Sequence, residues 1–142
     1  MFLWNMSLET GIEEVDHGRK RLLGAMADFF QIMDDPNLNH QLLAERTGAI
    51  FNTMKAAFAA EDAFLQEHGG GDGEAHMATH ASQAKAFVDL CRKLVPKVKN
   101  PKQARQSCLE IFQVVDNGLF HHVTKEVANY KQLAKHHVRQ AG

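Results

Sequence analysis

The 142-residue sequence has few of the features that build strands, disulfide frameworks or membrane spans. It contains one tyrosine, and alternating apolar and polar stretches are absent, which argues against β-strands. Its two cysteines, Cys91 and Cys108, are too few for a disulfide framework and lack a Cys-x-x-Cys spacing. We expect them to be buried, reduced thiols. No apolar run reaches the length of about 18 residues that a membrane-spanning helix needs.

The chain also lacks an excess of charge of either sign. Its 16 basic and 17 acidic residues nearly cancel, and no run of Lys or Arg forms a nucleic-acid footprint. The first residues lack the basic start and apolar core of a secretory signal. We therefore expect a soluble, cytoplasmic protein that binds neither nucleic acid nor a membrane, folded as one domain over residues 1–142.

Apolar residues recur instead at spacings of three and four, which predicts helices throughout. Asp16 is the expected N-cap of the first helix, and Asn100 followed by Pro101 is a strong start signal for the fourth. Short connections and one apolar stripe per helix predict an all-α, antiparallel up-and-down four-helix bundle, with the N-terminal fifteen residues packed along it as an arm. The predicted helices cover residues 16–34, 39–68, 74–97 and 101–136.

Glycines mark two special points in this pattern. Gly69-Gly70-Gly71 is expected to end the second helix, because a glycine run is costly to keep helical. Asn117-Gly118 falls inside the fourth helix and is expected to bend or loosen it just before His121.

Nine histidines are more than packing or solubility requires, and two of them have a metal-binding spacing. His76 and His80 are four residues apart, so they project from one helix face and can grip a metal ion. The same spacing also arises by chance in a histidine-rich chain. Glu61 lies on the apolar stripe of the second helix, where a carboxylate needs a partner unless it sits at the edge and reaches solvent.

Two adjacent histidines in the fourth helix compete for one inward position. His121 and His122 differ by about 100° around a helix, so only one can face the core, and the spacing from apolar neighbours does not choose between them. Glu126 follows five residues after His121 and four after His122, and the latter pair could equally be a surface contact. Side chains from three helices could thus converge on a metal ion. The candidate ligands are His76, His80, His121, Glu61 and Glu126.

Several motifs occur in a fixed order from Trp4 to about Tyr130: Gly11-Ile-Glu-Glu-Val-Asp16 with Leu22, Phe58-Ala-Ala-Glu61, His76-x-x-x-His80 and His121-x-x-x-x-Glu126. In this order and spacing the chain resembles the bacterial hemerythrin family. The resemblance implies a four-helix bundle around a non-heme, oxo- or hydroxo-bridged di-iron centre that binds or senses O2. It also implies that His76, His80 and His121 hold the three-histidine iron and that Glu61 bridges. Glu126 stands where the family has a bridging aspartate.

The other iron of the family lacks its histidines here. The family pattern Asp-x-x-His-x-x-Leu, anchored on Asp16 and Leu22, puts Arg19 at the histidine position, and Ala57 stands at the second. Because both missing histidines belong to the same iron, we expect a centre with a single metal ion. Turned inward, Arg19 could bond both carboxylates and replace the missing charge. Turned outward, it would cover apolar surface with its stem.

These ligands leave several functions open. Three imidazoles with one or two carboxylates suit iron(II), zinc or manganese, and the resemblance favours iron, with one ion expected and two as the alternative. We expect a module that binds or senses O2, NO or another small ligand and signals through a partner protein. Alternatively, unwinding near Gly18 brings His17 inward and leaves a ligand-poor di-iron oxidoreductase that uses O2 or peroxide. No second catalytic group beyond Glu61 supports an enzyme. A metal-free structural bundle is the third hypothesis.

Overall fold

The computed structural model describes residues 4–68 and 73–141, and within these ranges the chain is almost entirely helical and contains no strand. This confirms the all-α class. A π-helical turn over Val115–Phe120 joins α4 to α5, and Glu126 alone separates α5 from α6. The predicted fourth helix is therefore one long helical segment in several parts. The helices are α1 Glu13–Gln31, α2 His40–His68, α3 Gly73–Leu94, α4 Pro101–Val114, α5 His121–Lys125 and α6 Val127–Ala141.

Most helix ends follow from local sequence. The Asn100 side chain accepts a hydrogen bond of 2.9 Å from the Gln103 N–H, and Pro101 is the first helical residue, which confirms the predicted start of α4. Short 3₁₀ turns over Ile32–Asp34 and Val95–Lys97 extend α1 and α3 to the predicted ends at 34 and 97. The glycines expected to stop α2, at 69–71, lie outside the described residues.

The start of α1 differs from the prediction. The helix begins at Glu13, three residues before Asp16. The Asp16 carboxylate does not cap the helix, because it accepts hydrogen bonds from the segment that precedes it. Its Oδ1 accepts hydrogen bonds from the N–H and hydroxyl of Thr10, and its Oδ2 accepts one from the N–H of Gly11. Gly11 has φ +87°, a conformation that glycine adopts without strain. Asp16 thus ties the N-terminal segment to the first turn.

The core lies between helices that are neighbours in sequence: α1 packs along α2, α2 along α3, and α4 contacts both α2 and α3. The N-terminal segment adds Leu8 and Ile12 to this buried interior. Phe30 is 36% exposed and packs beside Phe112 with ring centroids 5.3 Å apart. None of the helices described is long and apolar enough to cross a membrane. Fully buried core residues include Leu22, Met26, Phe29, Leu43, Ile50, Met54, Phe87 and Ile111.

Helices α1 and α2 are in close contact at Gly18 and Ala57. A Cβ atom added to Gly18 would lie 3.0 Å from the Ala57 Cα, so the Ala57 backbone would have to move by a few tenths of an ångström. Ala57 is itself only 1% exposed. Small residues on both helices therefore allow this contact, and it lies beside the polar cluster described next.

Candidate metal centre

Four buried or partly buried side chains offer donor atoms to one point between the helices. They are Glu61 of α2, His76 and His80 of α3, and His122 of α5, and one ligand atom from each lies within 4.8 Å of all the others. Glu61 and His80 are 1% and 2% exposed. Carboxylate oxygen and imidazole nitrogen are the donors that zinc, iron and manganese share, so the group has the chemistry of a metal site.

His122, rather than His121, enters this cluster. The His121 side chain is exposed, whereas His122 is 7% exposed. The π-helical turn just before them explains the difference. Its i→i+5 hydrogen bonding inserts one extra residue into the turn, so each later residue occupies the direction that a regular α-helix would give its predecessor. His122 lies in the cluster where the sequence prediction put His121, and the turn includes the Asn117-Gly118 pair that was expected to loosen the helix.

The His80 ring is held at both nitrogens. Its Nδ1 lies 2.8 Å from the Asp62 Oδ1, and its Nε2 lies 3.0 Å from the Glu61 Oε2 and 3.1 Å from the His122 Nε2. A proton donated from Nδ1 to Asp62 leaves the Nε2 lone pair directed at the cluster. Carboxylates commonly orient metal-binding histidines in this way and raise their basicity.

The spacing of these atoms fits a small cation. Ligands bound at about 2.1 Å and at right angles to one another lie about 3 Å apart. Two imidazole nitrogens and a carboxylate oxygen at 3.0 and 3.1 Å repel one another unless a cation or a proton lies among them. A single proton on the His80 Nε2 could form a good hydrogen bond with the Glu61 Oε2 or with the His122 Nε2, but not with both. The Glu61 Oε2 is buried and accepts no hydrogen bond of acceptable geometry from the described residues, although it is within ion-pair distance of His80.

The aromatic ring of Phe58 packs against one side of this cluster. The Phe58 ring stacks on His80 with centroids 4.0 Å apart and an angle of 2° between the planes, and it meets the His122 ring edge-on at 5.9 Å. Phe58 lies one turn before Glu61 on α2, so the same helix supplies the carboxylate and the apolar wall. The Phe58 ring thus covers one face of the His80 imidazole.

His76 is the most accessible member of the group, with a partly exposed side chain. Its Nε2 forms a hydrogen bond of 3.1 Å with the hydroxyl of Tyr130, which is fully buried. The His76 and His80 rings stand edge to face, 4.3 Å apart. Tyr130 therefore orients His76 as Asp62 orients His80.

Arg19 lies against the opposite side of Glu61 and is fully buried. Its Nε donates to the Glu61 Oε1 at 2.5 Å, and its Nη1 donates to the Val123 carbonyl at 3.0 Å. The guanidinium carbon lies 4.8 Å from the centre of the Tyr130 ring, a cation–π distance. Of the two orientations that the sequence allowed, Arg19 adopts the inward one. It bonds a backbone carbonyl, and no bond to Glu126 joins it among the described contacts.

The surroundings favour the ionisation states that a metal requires. Burial raises the pKa of Glu61, but the contact with His80 and the charge of Arg19 outweigh it and leave the pKa below its ordinary value. Burial lowers the pKa of His122 to about 4. Burial and the charge of His80 also lower the pKa of His76, against an opposing effect of nearby carboxylates. Glu61 is thus an anion and His122 a neutral imidazole near pH 7.

Three other candidate positions do not join the group. Glu126 is partly exposed at the turn between α5 and α6, where its charge affects His76 without making it a member of the cluster. His17 is exposed on α1, so it does not turn inward. Ala57 is buried against α1. Of the five predicted ligands, the structure brings together Glu61, His76 and His80.

Sequence reasoning missed two supporting side chains. Asp62, which follows Glu61 on α2, is partly buried and bonds His80. Tyr130 carried no assigned role, although it is the only tyrosine and follows Val123 and Val127 at helical spacing on the buried side of the last helix. A hydroxyl on a buried stripe needs a polar partner, and this need could have identified Tyr130 as part of the polar cluster.

Comparisons with models of known protein families, with curated proteins and with solved structures each find no match for this chain.

Proposed function

We propose that this chain is a hemerythrin-like module that holds one metal ion, iron(II) by preference, at Glu61, His76, His80 and His122 and that binds O2, NO or another small ligand there. The observation that carries the proposal is the convergence of these four side chains within 4.8 Å, drawn from three helices. The order of motifs along the chain supports the resemblance to hemerythrins. The donor set is equally suited to zinc and manganese, which are the alternatives.

The surrounding contacts support a metal site over a set of ordinary buried histidines. Asp62 and Tyr130 orient two of the imidazoles, as the outer partners of metal ligands do. The Glu61 Oε2 is buried without a well-formed hydrogen bond, which is costly in a protein interior. A cation would satisfy this oxygen and remove the repulsion between the facing nitrogens of His80 and His122.

Arg19 supports a single metal over a pair. Glu61 presents Oε2 to the histidines and Oε1 to the Arg19 Nε, so the carboxylate lies between the cluster and a permanent cation. A guanidinium keeps its charge at any physiological pH. We propose that Arg19 takes the place and charge of a second iron. Ala57 is buried where α1 and α2 pack closely, so an imidazole at this position would have to fit into a tight contact.

We further propose that the helices form an antiparallel up-and-down bundle. Contacts between α1 and α2 run in opposite sequence directions, since Val15 shares a buried cluster with Leu65 whereas Gly18 meets Ala57. In such a bundle, ligands on facing helices project into one interior. A ligand-induced change in the position of α5 would then reach α4 through the π-helical turn, which offers a route to a partner protein.

Metal reconstitution tests the proposal. The purified chain is stripped with a chelator, reloaded separately with Fe(II), Co(II) and Zn(II), and its metal content is measured after gel filtration. We expect one ion per chain, and an Fe(II) spectrum that changes with NO or O2. Two irons per chain with oxo-bridge absorption would contradict the single-metal centre. No retained metal would leave the structural bundle, in which the ion pair with Arg19 holds the Glu61 carboxylate.

A further inference from the structure

The hydroxyl of Tyr130 lies as close to one proposed metal ligand as the other ligands lie to each other. Its oxygen is 3.1 Å from the His76 Nε2. Within the cluster, the His80 Nε2 lies 3.0 Å from the Glu61 Oε2 and 3.1 Å from the His122 Nε2. Ligands bound at about 2.1 Å and at right angles to one another lie about 3 Å apart. The phenol oxygen, which comes from α6, therefore has the spacing of a fifth ligand.

The surroundings of Tyr130 connect its hydroxyl with the cluster and not with solvent. The side chain is fully buried, and the guanidinium carbon of Arg19 lies 4.8 Å from the centre of its ring. Burial, and after it the nearby charge of Glu61, raise the pKa of the hydroxyl above its ordinary value. The metal-free chain thus holds a protonated phenol that orients His76. A bound metal ion can reverse such a preference, as it does when it deprotonates a coordinating thiol.

The charge of the cluster indicates which metal ion would bind the phenol oxygen. Glu61 contributes one negative charge and Arg19 one positive charge, so the two cancel before any metal binds. Fe(II) beside a neutral phenol adds two positive charges, and Fe(III) beside a phenolate also adds two. Fe(III) beside a neutral phenol would add three, and unbalanced buried charge is costly. A phenolate thus allows the buried site to hold ferric iron at the same total charge as ferrous iron.

We propose that Tyr130 is a fifth ligand of the oxidised metal ion and binds it through the phenolate oxygen. The inference rests on the proposed iron site and adds to it a residue that distinguishes Fe(III) from Fe(II). The ligands that the resemblance to hemerythrins implies are histidines and carboxylates, so a tyrosine lies outside that set. Tyrosine oxygen does bind iron in other proteins. Four protein ligands leave positions open on a metal ion that prefers six.

The binding of Tyr130 follows the oxidation of the metal ion. A one-electron oxidant such as ferricyanide takes one electron from the bound Fe(II). The O–H bond of Tyr130 breaks, a bond between Fe(III) and the phenolate oxygen forms, and the proton leaves to solvent. Reduction of the iron reverses these changes and restores the hydrogen bond between the hydroxyl and His76.

Visible absorption of the iron-loaded full chain tests the proposal. The chain is loaded with Fe(II), oxidised with ferricyanide and separated from the oxidant by gel filtration. A phenolate bound to Fe(III) gives a broad charge-transfer band in the visible range, whereas a hydrogen-bonded phenol gives none. We expect this band in the wild type after oxidation and not before it. Because Tyr130 is the only tyrosine in the sequence, the band can be assigned to this residue.

Two variants show whether the band depends on the phenol oxygen. Tyr130→Phe keeps the ring and removes the oxygen, so it should bind iron through the other four ligands and lose the band. Phe64→Leu is the control, since the Phe64 ring packs near Tyr130 with centroids 6.4 Å apart and supplies no ligand. This variant should keep the band. A tyrosine that only orients His76 would give no such band even in the wild type.

The outcomes separate the two proposals. No retained iron overturns the metal site and the tyrosine ligand with it. Retained iron that shows the EPR signal of Fe(III) without the band, or a band that persists in Tyr130→Phe, overturns the tyrosine ligand alone. If Tyr130→Phe does not fold, resonance Raman spectra of the wild type made with ring-deuterated tyrosine replace it. Deuteration should shift the phenolate bands, and the absence of such a shift overturns the tyrosine ligand.

Discussion

Asp62 and His80 form a hydrogen bond of 2.8 Å that fixes the direction in which the imidazole faces the cluster. The two residues lie on different helices, α2 and α3, so the contact also locks the register of those helices at the candidate site. Because the Asp62 carboxylate accepts from Nδ1, the lone pair of Nε2 is free to bind a cation. The metal affinity of the cluster should therefore depend on a residue that would not touch the metal.

Replacing Asp62 with asparagine should lower the affinity for Zn(II) or Co(II) about 10- to 100-fold, the usual effect of losing such an outer partner. The amide still forms hydrogen bonds but no longer raises the basicity of the ring. Competition with a chromogenic chelator measures the affinity. Asp89→Asn is the matched control, since Asp89 is an exposed carboxylate that pairs with Lys85 on the same helix. Equal affinities in both variants would contradict the role of Asp62 in metal binding.

Replacing Arg19 with methionine should destabilise the metal-free protein by about 3 kcal/mol, because Glu61 would lose its main partner in a buried position. The double variant Arg19→Met with Glu61→Leu should recover most of that loss, since it removes both charges together. Urea unfolding of the wild type, Arg19→Met, Glu61→Leu and the double variant gives the coupling free energy between the two positions. A loss below about 1 kcal/mol for the single variant, the value expected of an exposed pair, would contradict the buried arrangement.

Replacing Gly18 with alanine should cost about 1 to 3 kcal/mol of stability, because the new methyl group would press on the Ala57 backbone at 3.0 Å. Gly24→Ala is the matched control on the same helix. Beyond the adjacent helix backbone, no atom of the described residues lies within 4 Å of its added Cβ, so this change should be neutral or stabilise by up to about 1 kcal/mol through helix propensity. Thermal unfolding of both variants checks the prediction, and equal midpoints would show that α1 and α2 are further apart.

The metal-free protein should lose stability as the pH falls below about 6.5, because His122 stays neutral in the folded state down to about pH 4. The unfolded chain takes up that proton first, so the free energy of unfolding declines between about pH 6.5 and pH 4, by about 1 to 2 kcal/mol at pH 5 relative to pH 7. His122→Gln should remove most of this slope in urea unfolding. His121→Gln, a change at an exposed ring, should keep it. The same slope in both variants would assign the pH dependence to other groups.

The sequence allowed the helices and half of the site to be predicted because these depend on local patterns. Asn100 and Pro101 mark a helix start that needs no tertiary information, and the spacing of His76 and His80 places both on one face of α3. Glu61 was identifiable as a carboxylate on an apolar stripe, and the structure buries it rather than leaving it at the edge.

The remaining parts depend on events that a regular helical pattern does not encode. The π-helical turn adds one residue to the helix and exchanges His121 for His122, although Asn117-Gly118 signalled an irregularity without giving its kind. Asp62 bonds a residue on another helix, so its role depends on the register of α2 against α3. The orientation of Arg19 depended on whether buried partners existed, and Val123 supplies one of them through a backbone carbonyl.

The most direct test of the account compares Zn(II) binding by isothermal titration in the wild type, His122→Ala and His121→Ala. The two variants remove neighbouring imidazoles, one from the buried cluster and one from the exposed face. We expect one tightly bound Zn(II) ion per chain in the wild type and in His121→Ala, and at least a tenfold loss of Zn(II) affinity in His122→Ala. Equal binding by both variants, or a loss confined to His121→Ala, would contradict it.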